Sequence, residues 1–87
     1  MPRRAAAAPA RVQTGVRLEP RLVKVLKGLA EYLNVSLGEL IELLALHAFD
    51  GGAGFSAGTR RRIAELKRIY GMEDALDHAR RRIFARE

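Results

Sequence analysis

Residues 11–20 read Arg-Val-Gln-Thr-Gly-Val-Arg-Leu-Glu-Pro, and their polarity alternates. Val12, Thr14, Val16 and Leu18 share one parity; Gln13, Gly15 and Arg17 share the other. Successive side chains of an extended chain point to opposite faces, so this spacing predicts a β-strand with one apolar and one polar face. Glu19 and Pro20 end it. Pro20 suits the first turn of a helix, where its missing N–H would have no partner in any case.

C-terminal to this stretch, Leu22, Val25, Leu26, Leu29 and Leu33 recur at three- and four-residue spacing, which predicts an amphipathic helix from about Pro20 to Leu33, stopped by Asn34. Ser36-Leu37-Gly38-Glu39 then has the form of a capping box, in which each end side chain satisfies a backbone N–H at the start of a second helix. That helix, about Leu37 to Phe49, carries one stripe of Leu37, Leu40, Ile41, Leu44 and Ala48 and a second flank of Leu43 and Leu46. One small monomer cannot hide both flanks, so the pattern calls for a partner subunit or for cover by the C-terminal segment.

Residues 50–58, with four glycines, read as a loop. Beyond it, Ile63, Leu66, Ile69 and Tyr70 predict a third helix from near Thr59 to Gly71, a residue suited to a left-handed C-cap. Met72, Leu76, Ala79 and Ile83 predict a fourth, with Glu73 and Asp74 in its first turn and Arg80 to Arg82 in its last, as the helix macrodipole favours. Upstream, residues 1–10 are Ala, Arg and Pro with nothing large to bury, which predicts a flexible basic arm.

Composition narrows the function. There are no cysteines, so disulfides and thiolate metal sites are excluded, and the isolated His47 and His78 make no zinc set. No apolar run approaches the roughly 20 residues of a membrane-spanning helix, so no membrane partner is expected. Arg3 and Arg4 precede an alanine run too short for a secretion signal and broken by Pro9, which leaves a cytoplasmic location as the expectation. No catalytic Ser, His and acid grouping or phosphate-binding glycine loop is present, so neither an enzyme nor a cofactor is expected.

Sixteen Lys and Arg against ten Asp and Glu leave the 87-residue chain at +6, unevenly spread. Residues 1–17 carry +4, residues 18–59 carry −2 and the remainder carries +4. Basic ends around a slightly acidic middle point to a polyanionic partner.

The combination Val16-Arg17-Leu18-Glu19-Pro20, Leu26, Leu29-Ala30 and Asn34-Val35-Ser36-Leu37-Gly38-Glu39-Leu40-Ile41 resembles the ribbon-helix-helix DNA-binding proteins, the Arc, CopG and MetJ type. The resemblance covers about Arg11 to Phe49. It implies a mostly α fold with one β-strand and two helices in an intertwined homodimer, here followed by one or two extra C-terminal helices. The expected organisation is an arm over 1–10, a ribbon-helix-helix domain over 11–50, a Gly-rich loop over 51–58 and a helical extension over 59–87.

A dimer is also what an isolated strand would demand, because its unpaired N–H and C=O row needs a partner. The resemblance implies that two strands form an antiparallel ribbon in the DNA major groove, with Gln13, Gly15 and Arg17 facing the bases. Arg can bond guanine and Gln adenine there. Gly15 departs from the family pattern, which usually has a hydrogen-bonding side chain at the central position. Val35, Ser36, Leu37 and Arg11 are expected to contact phosphate, the first three through N–H groups at the positive end of a helix. Arg3, Arg4, Arg60, Arg61 and Arg62 are candidates for further phosphate or partner contacts.

The function expected is therefore a homodimeric, sequence-specific transcriptional regulator, a repressor; whether dimers assemble to higher order on tandem DNA sites is left open by the sequence. The rival reading is an antitoxin-type or scaffold protein whose residues 59–87 bind another protein.

Overall fold

Helices form where apolar side chains recur at helical spacing. The computed structural model describes residues 11–84 and contains α1 (Pro20–Leu33), α2 (Leu37–His47), α3 (Ala57–Ile69) and α4 (Ala75–Phe84). A π-helical turn, Ala48–Gly52, continues α2. Gly51 within it has φ 107°, a left-handed conformation that glycine adopts without steric cost.

Each boundary has a local cause. The Glu19 carboxylate accepts the Leu22 N–H at 2.9 Å and Pro20 occupies the first turn, which starts α1. Asn34 ends it at φ 60°; the Asn34 N–H donates to the Glu31 carbonyl at 3.1 Å and the Val35 N–H to the Ala30 carbonyl at 3.0 Å. This pair of bonds is a Schellman motif, and the same motif closes α3 at Gly71 (φ 66°), where Gly71 donates to Arg68 and Met72 to Lys67. Ser36 and Glu39 form the expected capping box, with both bonds at 3.0 Å.

The C-terminal half departs from expectation in detail. Ser56 caps α3 by accepting the Thr59 N–H at 3.2 Å, so this helix starts at Ala57, two residues ahead of Thr59. Glycine content suggested a loop throughout residues 50–58, whereas the π turn absorbs its first part and α3 its last.

Two apolar clusters flank α2. Leu40 packs with Leu26 and Ala30 of α1, joined by Leu33, Val35 and Leu37. Leu43 and Leu46 pack with Ala79 and Ile83 of α4, joined by Val35, Ala75 and Leu76. Val35, in the α1–α2 turn, touches both clusters. Of the two covers considered for the second flank of α2, the C-terminal segment is the one present. By contrast, α3 contributes no buried residue; it packs on the π turn, where the Lys67 ammonium meets the Asp50 carboxylate at 2.7 Å.

The ribbon-helix-helix expectation is overturned. Among the described residues there is no β-strand: all regular structure is helical, and a leader over residues 11–19 has no regular secondary structure. Alternation decides which side chains share a face, but a strand also needs a neighbouring backbone to pair its N–H and C=O groups. No ladder of backbone bonds forms on residues 11–18 among the described residues, and every side chain from Arg11 to Glu19 is exposed.

If α4 is part of the core, truncating Ile83, which is only 2% exposed, has a large effect. Ile83→Ala is expected to destabilise by about 2–5 kcal/mol. Leu66→Ala, on the half-open face of α3, should fall well short of that. Equal shifts of the thermal midpoint in the two variants would contradict this packing.

Candidate nucleic-acid interface

The leader lies over the surface with its apolar parity open. Val12 is 87% exposed, and Val16 and Leu18 are also exposed, as are Gln13, Gly15 and Arg17 on the opposite parity. Each end of the leader makes a contact with a helix. At one, Glu19 caps α1 and pairs with Arg21; its carboxyl is held below the usual range, chiefly by the Leu22 N–H and then by Arg21. At the other, the Arg11 guanidinium bonds the Glu42 carboxylate of α2, which raises the Arg11 pKa.

Glu42 belongs to a charge network that no short motif announces. Arg82 of α4 approaches Glu39 at 3.6 Å and Glu42 at 3.8 Å, so two carboxylates of α2 stand between Arg11 and Arg82. Their spacing of three residues on α2 was the available signal for a shared helix face. These pairs are about half exposed, so solvent screens them and a phosphate could compete for Arg11.

The start of α2 is less open to phosphate than three N–H groups in a row would imply. Val35 already donates to the Ala30 carbonyl and Ser36 to the Glu39 carboxylate, while the Ser36 hydroxyl accepts from the Glu39 N–H. Of the three backbone donors expected there, Leu37 is the one outside these bonds. The Glu39 carboxylate itself adds a negative charge at that helix end. The Ser36 N–H holds Glu39 below its usual pKa, with smaller help from the Ser36 side chain, Arg82 and Arg11.

Arg60, Arg61 and Arg62 are exposed on α3, at the other end of α2. Because α3 starts at Ala57, Arg60 closes its first turn and Arg61 and Arg62 lie in the second, where the macrodipole acts more weakly. Arg62 pairs with Glu65 at 3.2 Å. Arg3 and Arg4 lie outside the described residues.

The described residues hold no group of His, Cys, Asp and Glu able to bind a metal, and no described helix is long and apolar enough to cross a membrane. No protein family, curated protein or solved structure matches this chain.

The depressed Glu39 carboxyl makes folding stability depend on pH in the acid range. A lowered folded-state pKa contributes stability that is complete above the ordinary value of 4.5 and is lost as pH falls through the folded value. Glu39→Gln keeps an acceptor for the Ser36 N–H but not the charge. In acid titrations followed by circular dichroism, the wild type should lose stability more steeply below about pH 4.5 than Glu39→Gln. Parallel curves would refute the assignment.

Proposed function

We propose that this protein is a homodimeric, sequence-specific DNA-binding transcriptional regulator that reads base edges with its leader. The carrying observation is the leader itself: an exposed segment with Gln13 and Arg17 on one parity and Val12, Val16 and Leu18 on the other. The proposal does not require a strand, because extended basic segments also enter DNA grooves. Arg and Gln are the side chains best matched to guanine and adenine edges, and phosphates compete with Glu42 for Arg11.

The dimer is argued from apolar surface. Leu22, Val25, Leu29 and Tyr32 recur at helical spacing on α1 and all are exposed, Val25 at 64% and Tyr32 at 83%. Ile41 and Leu44 on α2 are similarly open. An apolar helix face beside an apolar leader is the kind of patch that a second copy would cover, and two-fold symmetry would present two leaders to two half-sites. The rival antitoxin-type reading gains less support, because α4 is packed into the core instead of awaiting a partner.

Selection of bound duplexes from a random pool tests the function directly. With a selected site, Arg17→Ala should weaken binding by roughly 1–3 kcal/mol while affinity for unrelated DNA changes little. Val25→Asp should abolish tight binding with helix content retained. Failure to enrich any sequence, or an Arg17→Ala affinity equal to wild type, would contradict the proposal.

A further inference from the structure

The surface charge of α3 remains unexplained by the core, because the helix buries no residue and is anchored at the Ser56 cap and the Lys67–Asp50 pair. Residues 57–69 hold five bases and one acid, a net +4 on 13 residues. These charges divide by face. Arg62 is neutralised by Glu65 and Lys67 by Asp50. Arg60, Arg61 and Arg68 have no carboxylate partner among the described residues, and all three are exposed.

At about 100° per residue, Arg60, Arg61 and Arg68 fall within one third of the helix circumference, with Ala57 and Ala64 between them. Ile63, Leu66 and Ile69 occupy another sector. Small residues between the cations leave room for a bulky polyanion to lie close to the helix. Arg61 and Arg68, seven residues apart, are separated by about 10 Å along the axis at 1.5 Å per residue. This span approaches the roughly 12 Å width of a DNA major groove.

We infer that this outer face of α3 is a second nucleic-acid contact, in which Arg60, Arg61 and Arg68 bind backbone phosphates of the duplex that the leader reads. The inference rests on the proposed DNA-binding function and extends it. The leader supplies sequence discrimination; the α3 face supplies affinity without it, since phosphate contacts position a protein and base contacts specify the site. Pairing these cations with phosphates releases counterions, so their contribution carries a distinct salt dependence.

The test uses the full chain and two variants of equal charge change: Arg61→Gln with Arg68→Gln on α3, and Arg80→Gln with Arg81→Gln on α4. All four positions are exposed and glutamine is a good helix former, so both proteins should fold, which circular dichroism checks. Binding to a selected duplex and to an unrelated one is measured over a range of salt. For the α3 variant, the slope of log affinity against log salt should flatten by about 0.9 per lost phosphate contact on both duplexes, and affinity should fall roughly tenfold or more at low salt. The α4 variant should stay near wild type.

An unchanged slope in the α3 variant would overturn the inference and leave the leader proposal standing, as it would if the α3 face instead binds an acidic protein. Equal losses in the two variants would also overturn it, by showing an effect of net charge alone. If the wild type binds no duplex, the regulator proposal itself fails and the inference falls with it.

Discussion

The apolar surface of α2 is the constraint from which the rest of the fold follows. Its side chains point to three sides: Leu40 towards α1, Leu43 and Leu46 towards α4, and Ile41 with Leu44 towards neither. Fully burying a leucine contributes roughly 1.5–3 kcal/mol, so covering two of these sides is the main source of stability for so small a chain. The α1–α2 turn serves both clusters through Val35, whose position is set by the Schellman bonds around Asn34.

What this arrangement leaves outside is as informative as what it buries. Leader, α1 and α2 all present exposed aliphatic side chains, and α1 adds Tyr32. The charged groups are sorted too. Carboxylates of α2 engage Arg11 and Arg82, whereas Arg17, Arg60, Arg61 and Arg68 remain without such partners among the described residues. An apolar face for a second copy and basic elements for a polyanion are the two surfaces on which the proposed regulator depends.

Much of the helical framework was legible in the sequence. Period and capping chemistry fixed α1 and the start of α2, because Pro20, Asn34, Ser36 and Glu39 act within a few residues of themselves. The choice of cover for the Leu43 and Leu46 flank was not legible, since it depends on where α4 docks beyond the π turn and α3. Glycine content misled at 50–58, where Ser56 was the stronger signal. The leader misled most, because Val12 to Leu18 has the side-chain alternation of a strand without the backbone pairing that makes one. Among the candidate site residues, parity set Gln13 and Arg17 apart from Val12, Val16 and Leu18 in the sequence, yet both sets are exposed in the structure. The engagement of Arg11 by Glu42 depends on a residue outside the family-like pattern, whereas the capping box and the Schellman bonds that occupy the Ser36 and Val35 N–H groups lie within it.

The proposed regulator is a homodimer in which a second copy covers the exposed apolar face of α1 and α2. Thermal unfolding followed at protein concentrations from about 1 to about 100 μM reads this directly, because mass action makes the midpoint of an associating protein depend on concentration. A midpoint that climbs steadily across this range is the predicted result. A midpoint that stays fixed, with a mass in solution matching one chain, would contradict the account.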